Sequence, residues 1–273
     1  MNKTSPLLQT GFRDFDSLTQ GLRPGQVVLL GGRPGMGKTS FLQSVLTHVC
    51  VDQEKNAFFL SLELSEIEIR NQMCARLSRL EMKRIKNHEL SPEKNARYLS
   101  AKNKLHQAKL HIDDSASQRV SSIETKCRAL MENSKKLDLI AIDYFQLLNG
   151  EGLGTLVAPI QEIGEVLASL KKLSKDLAVP VIVLSQVSRE IESRENKRPK
   201  LTDLRGIKDE EAILRSLDLV CFLYREDYYG VGANSGTAEL IVAQNSMGKL
   251  GTVPLKWTGK YAVFENTDLI VSP

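Results

Sequence analysis

The segment Gly32-Arg33-Pro34-Gly35-Met36-Gly37-Lys38-Thr39 fits GxxxxGK[ST] and lies between a short apolar run, Gln26–Gly31, and a helical segment, Lys38–Val49. This is the P-loop pattern, and its spacing carries a mechanism. Glycines let successive backbone N–H groups turn inward around a phosphate. The helix that follows points its positive end at the anion. Lys38 is placed to reach the β- and γ-phosphates, and the Thr39 hydroxyl to reach Mg²⁺. The candidate nucleotide-binding set is therefore Gly32, Arg33, Pro34, Gly35, Met36, Gly37, Lys38 and Thr39, with Ser40 directly after them. ATP and Mg²⁺ are the expected ligands.

A strand–loop–helix unit of this kind needs an α/β fold around it, and the chain supplies one. Ala57–Leu62, Asp138–Asp143, Val181–Leu184 and Leu217–Tyr224 read as further apolar strands. Ile160, Ile163, Val166, Leu167, Leu170, Leu173 and Leu177 recur at helical spacing. Ser65 can cap another helix, with Glu66 and Glu68 in its first turn. Alternation of strands and helices predicts a mainly parallel central sheet covered on both faces. After Gly236, the runs Glu239–Val242, Gly251–Trp257 and Lys260–Glu265 predict an antiparallel C-terminal edge. There are no repeats and no long linker, so residues 1–273 are expected to form a single domain.

The same residues exclude other classes. Apolar residues are 41% and charged residues 26% of the 273, which rules out disorder as the main state. No apolar run approaches the roughly 20 residues of a membrane span, and the N-terminus lacks a secretory apolar region. A cytoplasmic protein without membrane association is expected. Cys50, Cys74, Cys127 and Cys221 form no CxxC pair and no zinc spacing with the four histidines, so they read as buried reduced thiols.

Three more polar residues sit where strands end. Leu139-Ile140-Ala141-Ile142-Asp143 is an apolar strand ending in a carboxylate, the Walker-B arrangement in which Asp143 holds the metal through water. Glu63 follows Phe58–Leu62; it could orient an attacking water, or simply complement a helix N-terminus. Gln186 follows Val181–Ser185; it could sense a γ-phosphate, or be a solvent-facing amide.

The chain resembles the C-terminal motor domain of the bacterial replicative helicase DnaB. The likeness runs in order through Thr10–Asp16, Arg33–Thr39, Ser61–Ser65, Ile142–Leu147, Val179–Val181, Leu184–Arg189, Lys197–Pro199, Asp203–Arg205 and Gly251–Val253. The blocks Ile142–Leu147 and Asp203–Arg205 favour DnaB over RadA- or KaiC-like relatives. The resemblance implies a RecA-like fold and ATP hydrolysis coupled to movement on single-stranded DNA, in a homo-oligomer, usually a hexameric ring. By this likeness Lys38 and Thr39 bind nucleotide and Mg²⁺, Glu63 is the catalytic base, Asp143 the metal carboxylate and Gln186 the γ-phosphate sensor.

Three departures from the family pattern qualify that expectation. The chain begins almost at the motor domain, so the N-terminal helical collar is expected to be absent. The Lys-Gln-Arg-Asn-Gly segment that reaches a neighbour's ATP site becomes Gln244-Asn245-Ser246-Met247-Gly248, with Gln244 for the Lys and Ser246 for the Arg. The acidic segment after Asp203-Leu204-Arg205 becomes Gly206–Glu211. A second reading follows: a paralogue that binds ATP and DNA, hydrolyses weakly, and serves a replicative helicase as accessory, loader or decoy.

The net charge of +4 conceals two basic stretches. Arg76–Lys109 holds ten Lys/Arg against three acids, and Lys171–Lys200 holds eight against four, leaving the remainder net acidic at −7. The first stretch could be an electrostatic footprint for phosphates, but reads rather as a solvated helix face. The second includes Arg189, Arg194, Lys197, Arg198 and Lys200, which with Arg205 are the candidate DNA contacts through phosphates. Asn149–Pro159, without Lys or Arg, is a second candidate channel loop.

Overall fold

The computed structural model describes residues 7–115, 119–134, 136–148, 159–204, 215–230 and 236–267. Among the described residues nine strands form one sheet: β1 (Val27–Gly32), β2 (Ala57–Ser61), β3 (Leu110–Asp113), β4 (Leu139–Asp143), β5 (Val181–Gln186), β6 (Leu219–Tyr224), β7 (Thr237–Asn245), β8 (Gly251–Thr258) and β9 (Val263–Asn266). Their order is β3-β2-β4-β5-β1-β6-β7-β8-β9. From β3 to β6 every pair is parallel, and β7, β8 and β9 add the antiparallel edge.

The central strands are apolar at consecutive positions because both faces are covered. Val28 and Leu30 of β1 pack into one core, Val27 and Leu29 into the other. β4 and β5 split the same way, with Ala141 and Ile182 on the first face, Ile142 and Val183 on the second. The first face is closed by α2 (Lys38–Thr47), α3 (Glu66–Ser78) and α5 (Pro92–Gln107) through residues such as Leu42, Met73 and Leu105. The second is closed by α6 (Val120–Ser134) and α7 (Pro159–Leu177) through Ile123, Cys127, Leu167 and Leu170. Two short helices, α1 (Arg13–Thr19) and α4 (Met82–Lys86), complete the set.

Where the structure differs from the sequence reading, the causes are local. β2 ends at Ser61, because the Ser61 hydroxyl closes a turn: it donates to Leu64 O at 2.7 Å and accepts from Leu64 N at 3.2 Å. Glu63 thus lies in that turn instead of terminating the strand. α2 stops at Thr47 and widens into a π turn over His48–Asp52. The final strand starts at Val263, since Lys260–Ala262 belong to the β8–β9 turn. The four cysteines are buried and free. Burial pushes the Cys50 and Cys127 thiols up to about 12, which suits packing roles. Among the described residues no helix is long and apolar enough to cross a membrane.

Candidate active site

Parallel registry gathers the strand-end residues. Gly32 of β1 pairs with Gln186 of β5, and Ser61 of β2 pairs with Asp143 of β4. The carboxyl ends of these four strands therefore form one rim, and α2 starts from it. In the loop between, Gly35 and Gly37 have φ of +80° and +96°, the left-handed region where a side chain is strained. A Cβ on Gly37 would also stand 3.0 Å from the Phe264 ring. Met36 is fully buried within the loop. The aromatic hairpin β8–β9 supports the loop from behind: Trp257 packs on Phe264 at 4.4 Å, and Arg225 lies 4.5 Å over Trp257 while donating to Gly35 O.

A cavity of about 670 Å³ opens on this rim. Lys38, Thr39, Glu63, Asp143 and Gln186 all line it, with Pro34, Gly35, Gly37 and Ser40. Gly32, Arg33 and Met36 do not; they shape the loop from outside the cavity. The Arg33 side chain turns away to Glu192 at 2.8 Å and donates to Val187 O at 3.1 Å.

The electrostatics follow from burial. Lys38 Nζ donates to Gly32 O at 2.9 Å and Arg33 O at 3.2 Å. Burial lowers its pKa to about 8, against the opposing fields of Asp143 and Glu63. Thr39 Oγ1 donates to Asp143 Oδ2 at 2.7 Å. Burial raises the Asp143 carboxyl to about 6, while the Thr39 bond lowers it. A hydroxyl and a carboxylate side by side are hard oxygen donors. Among the described residues no three His, Cys, Asp or Glu side chains converge. This donor set fits Mg²⁺, which keeps several waters and takes further oxygens from phosphates. Gln146 is a site residue that sequence spacing does not single out. Its amide donates to Ser185 Oγ at 2.8 Å and to Gln186 O at 3.2 Å, and accepts from Gln186 N at 3.4 Å, fixing the β4–β5 corner.

The family model described as DnaB-like helicase C terminal domain matches residues 8–266. The chain belongs to this family. It is 36% identical over 262 residues to the replicative DNA helicase DnaB of Geobacillus stearothermophilus, covering 96% of this chain and 57% of that one. It is 33% identical over 262 residues to the replicative DNA helicase DnaC of Bacillus subtilis strain 168, covering 96% and 57%. The chain thus spans about half the length of the curated relatives it matches. Among solved structures, one ATPase domain superposes with a TM-score of 0.89 at 30% identity, covering 96% of this chain and 91% of that one. A DnaB-like replicative helicase, solved for its interactions with primase, superposes at 0.90 with 30% identity, covering 96% and 62%. The fold is accordingly the RecA-like ATPase fold of DnaB-like domains.

Against this DnaB-like frame, the basic segment after β5 divides. Arg194 is paired to both oxygens of Asp203 at 3.0 and 2.7 Å, and Arg198 to both oxygens of Glu239 at 2.8 and 2.6 Å. Arg198 also lies 4.9 Å over the Tyr224 ring, and Lys197 donates to Arg194 O at 2.9 Å. Arg189 and Lys200 are exposed. Arg205, residues 149–158 of the second candidate loop, and Gly206–Glu211 lie outside the described residues. Gln244 and Ser246 sit at the end of β7 and in the turn after it. Since β7 runs antiparallel to β6, this turn is at the opposite end of the strands from the P-loop. Gln244 Nε2 donates to Leu217 O at 2.7 Å, and Ser246 is exposed.

Proposed function

We propose that this DnaB-like domain is an ATP-hydrolysing motor that moves on single-stranded DNA in replication, in the cytoplasm, as a homo-oligomer built on a hexameric ring. The observation that carries the reading is the convergence of Lys38, Thr39, Glu63, Asp143 and Gln186 on one cavity at the end of the P-loop strand. The left-handed Gly35 and Gly37 and the start of α2 cradle the β-phosphate with backbone N–H groups. Lys38 neutralises the β/γ oxygens once it is released from the Gly32 and Arg33 carbonyls. Thr39, and Asp143 through water, would hold Mg²⁺, which would supply positive charge to the phosphate oxygens. Glu63, exposed in its turn, orients the attacking water and takes its proton. Gln186, held in place by Gln146, faces the γ-phosphate end and is joined through β5 to the basic segment.

Within that segment Arg189 and Lys200 are the residues left to meet DNA phosphates. Arg194 and Arg198 are engaged in ion pairs and hold the loop's shape. Lys197 borders the same surface, and Arg205 continues it in sequence.

One observation favours a second reading, a weakly hydrolysing accessory, loader or decoy subunit for a replicative helicase. Ala243 is an extra residue of β7, since Val220 pairs with Gln244 while Cys221 pairs with Val242. Such a bulge shifts the following turn by one position. In either register, residues 243–248 contain no Lys or Arg to act on a neighbour's γ-phosphate, and Lys249 just beyond them offers a flexible point charge in place of a guanidinium fork. Loss of such a finger typically costs about 10³–10⁵ in rate.

ATP turnover measured with and without single-stranded DNA tests the motor. The motor reading expects DNA-stimulated hydrolysis that Lys38→Ala abolishes. A rate unmoved by DNA would favour the accessory reading, and hydrolysis surviving in Lys38→Ala would reject the P-loop assignment.

A further inference from the structure

Arg76 is a cation in the wall of the P-loop cavity. It lies in the last turn of α3, where the sequence suggests a solvated basic face. Its side chain is instead partly buried and held at two points. Nε donates to Ala262 O in the β8–β9 turn at 2.7 Å, and Nη2 donates to Ser40 Oγ at 3.0 Å. Nη1 is enclosed and makes no hydrogen bond. Among the described residues no carboxylate pairs with it. Burial alone pulls the guanidinium down to about 10, with no neighbouring charge offsetting it. A desolvated cation without a counter-charge is unfavourable unless something negative arrives.

The position indicates what arrives. Arg76 and Ser40 line the same cavity as the P-loop. Ser40 is the third residue of α2, one beyond Thr39, which bonds Asp143. Glu63 and Asp143 mark the γ-phosphate end of the cavity. Arg76, reaching Ser40 and the β8–β9 turn, is at the other end of a phosphate chain that begins there. Resting on the nucleotide-binding reading of this cavity, we propose that Arg76 is a binding residue for the α-phosphate of a nucleoside diphosphate or triphosphate, with Ser40 and Ala262 aiming its guanidinium. Bound nucleotide then supplies the counter-charge that the protein lacks, and ties α3 and the β8–β9 turn to α2.

Isothermal titration with ADP and thermal unfolding of wild type, Arg76→Gln, Arg76→Lys and Lys38→Ala test this. Arg76→Gln should weaken ADP binding about 10-fold or more, the scale of a charge-assisted hydrogen bond. Its melting temperature without nucleotide should not fall, because an unpaired buried charge is removed, while the ADP-induced rise in melting temperature shrinks. A purely structural tie would do the reverse: a lower melting temperature without nucleotide and unchanged ADP affinity, and that result overturns the proposal. Arg76→Lys keeps the charge and guards against a glutamine variant that fails to fold. Wild type should discriminate between the two ADPαS diastereomers, and Arg76→Lys should lose that discrimination; equal discrimination in both proteins overturns the proposal. If wild type binds no ADP, or Lys38→Ala binds it as well as wild type, the nucleotide reading itself fails. Wild-type binding lost in Lys38→Ala but kept in Arg76→Gln rejects the role of Arg76 alone.

Discussion

Lys38 holds its charge in a place with little water, and this makes the cavity's affinity depend on pH. Burial brings its pKa down to about 8. Phosphate binding favours the charged ammonium and raises the pKa again. The bound state therefore takes up a proton above about pH 8, and affinity weakens as pH rises through that value. ADP titrations without divalent cation should be nearly flat only in the narrow span from about pH 7 to 7.5, above the Asp143 carboxyl at about 6. They should then lose up to about tenfold in Kd per pH unit above about pH 8. A profile flat through about pH 9 would mean that Lys38 does not meet the phosphates. The glycines and Lys38 were legible in the sequence because their backbone demands are local. Arg76 was not, since its partners Ser40 and Ala262 are far from it in sequence and a lone arginine within a basic stretch gives no sign of burial.

Among the elements, the Thr10–Asp16 block that marks the family does structural work. The Asp16 carboxylate accepts from Thr10 N, Thr10 Oγ1 and Gly11 N at 2.9, 2.7 and 3.0 Å, clasping the turn before α1. Phe12 of the same block stacks on Phe41 of α2 at 4.4 Å. Asp16→Ala leaves these donors unsatisfied and should lower stability by about 1–3 kcal/mol. Denaturant unfolding checks this, and a change below about 0.5 kcal/mol would contradict it. The helix start at Ser65 was readable: Ser65 Oγ accepts from Glu68 N, and the Glu68 carboxylate accepts from Ser65 N at 3.0 Å, a capping box. β3 was not readable. Leu110-His111-Ile112-Asp113 is four residues at the sheet edge and only half apolar, too short to display a period. The central strands were legible because burial on both faces makes them continuously apolar.

At the scale of the whole molecule, the P-loop and the β7–β8 turn stand at opposite ends of one sheet's strands. If a ring of copies brings each turn to the next copy's cavity, as proposed, the turn's lack of an arginine matters only in an assembly, its one cation being Lys249. Ser246→Arg should therefore raise DNA-stimulated ATP turnover by about 10-fold or more in the assembled protein, and leave ADP affinity of the isolated chain unchanged. An equal rate in both proteins would mean that this turn does not act on a neighbour's nucleotide. The parallel centre of the sheet and its antiparallel C-terminal edge could be anticipated from the alternation of elements, but the order of the strands could not. The bulge at Ala243 could not, because a bulge is a mismatch between two strands and neither strand carries it alone.

In the proposed function the cavity hydrolyses ATP with Glu63 activating water. Single-turnover hydrolysis of ATP by Glu63→Gln, measured beside its ATP affinity, tests it most directly. Hydrolysis should fall by about 100-fold or more while ATP binds within a few-fold of wild type. Hydrolysis at the wild-type rate in Glu63→Gln would contradict it.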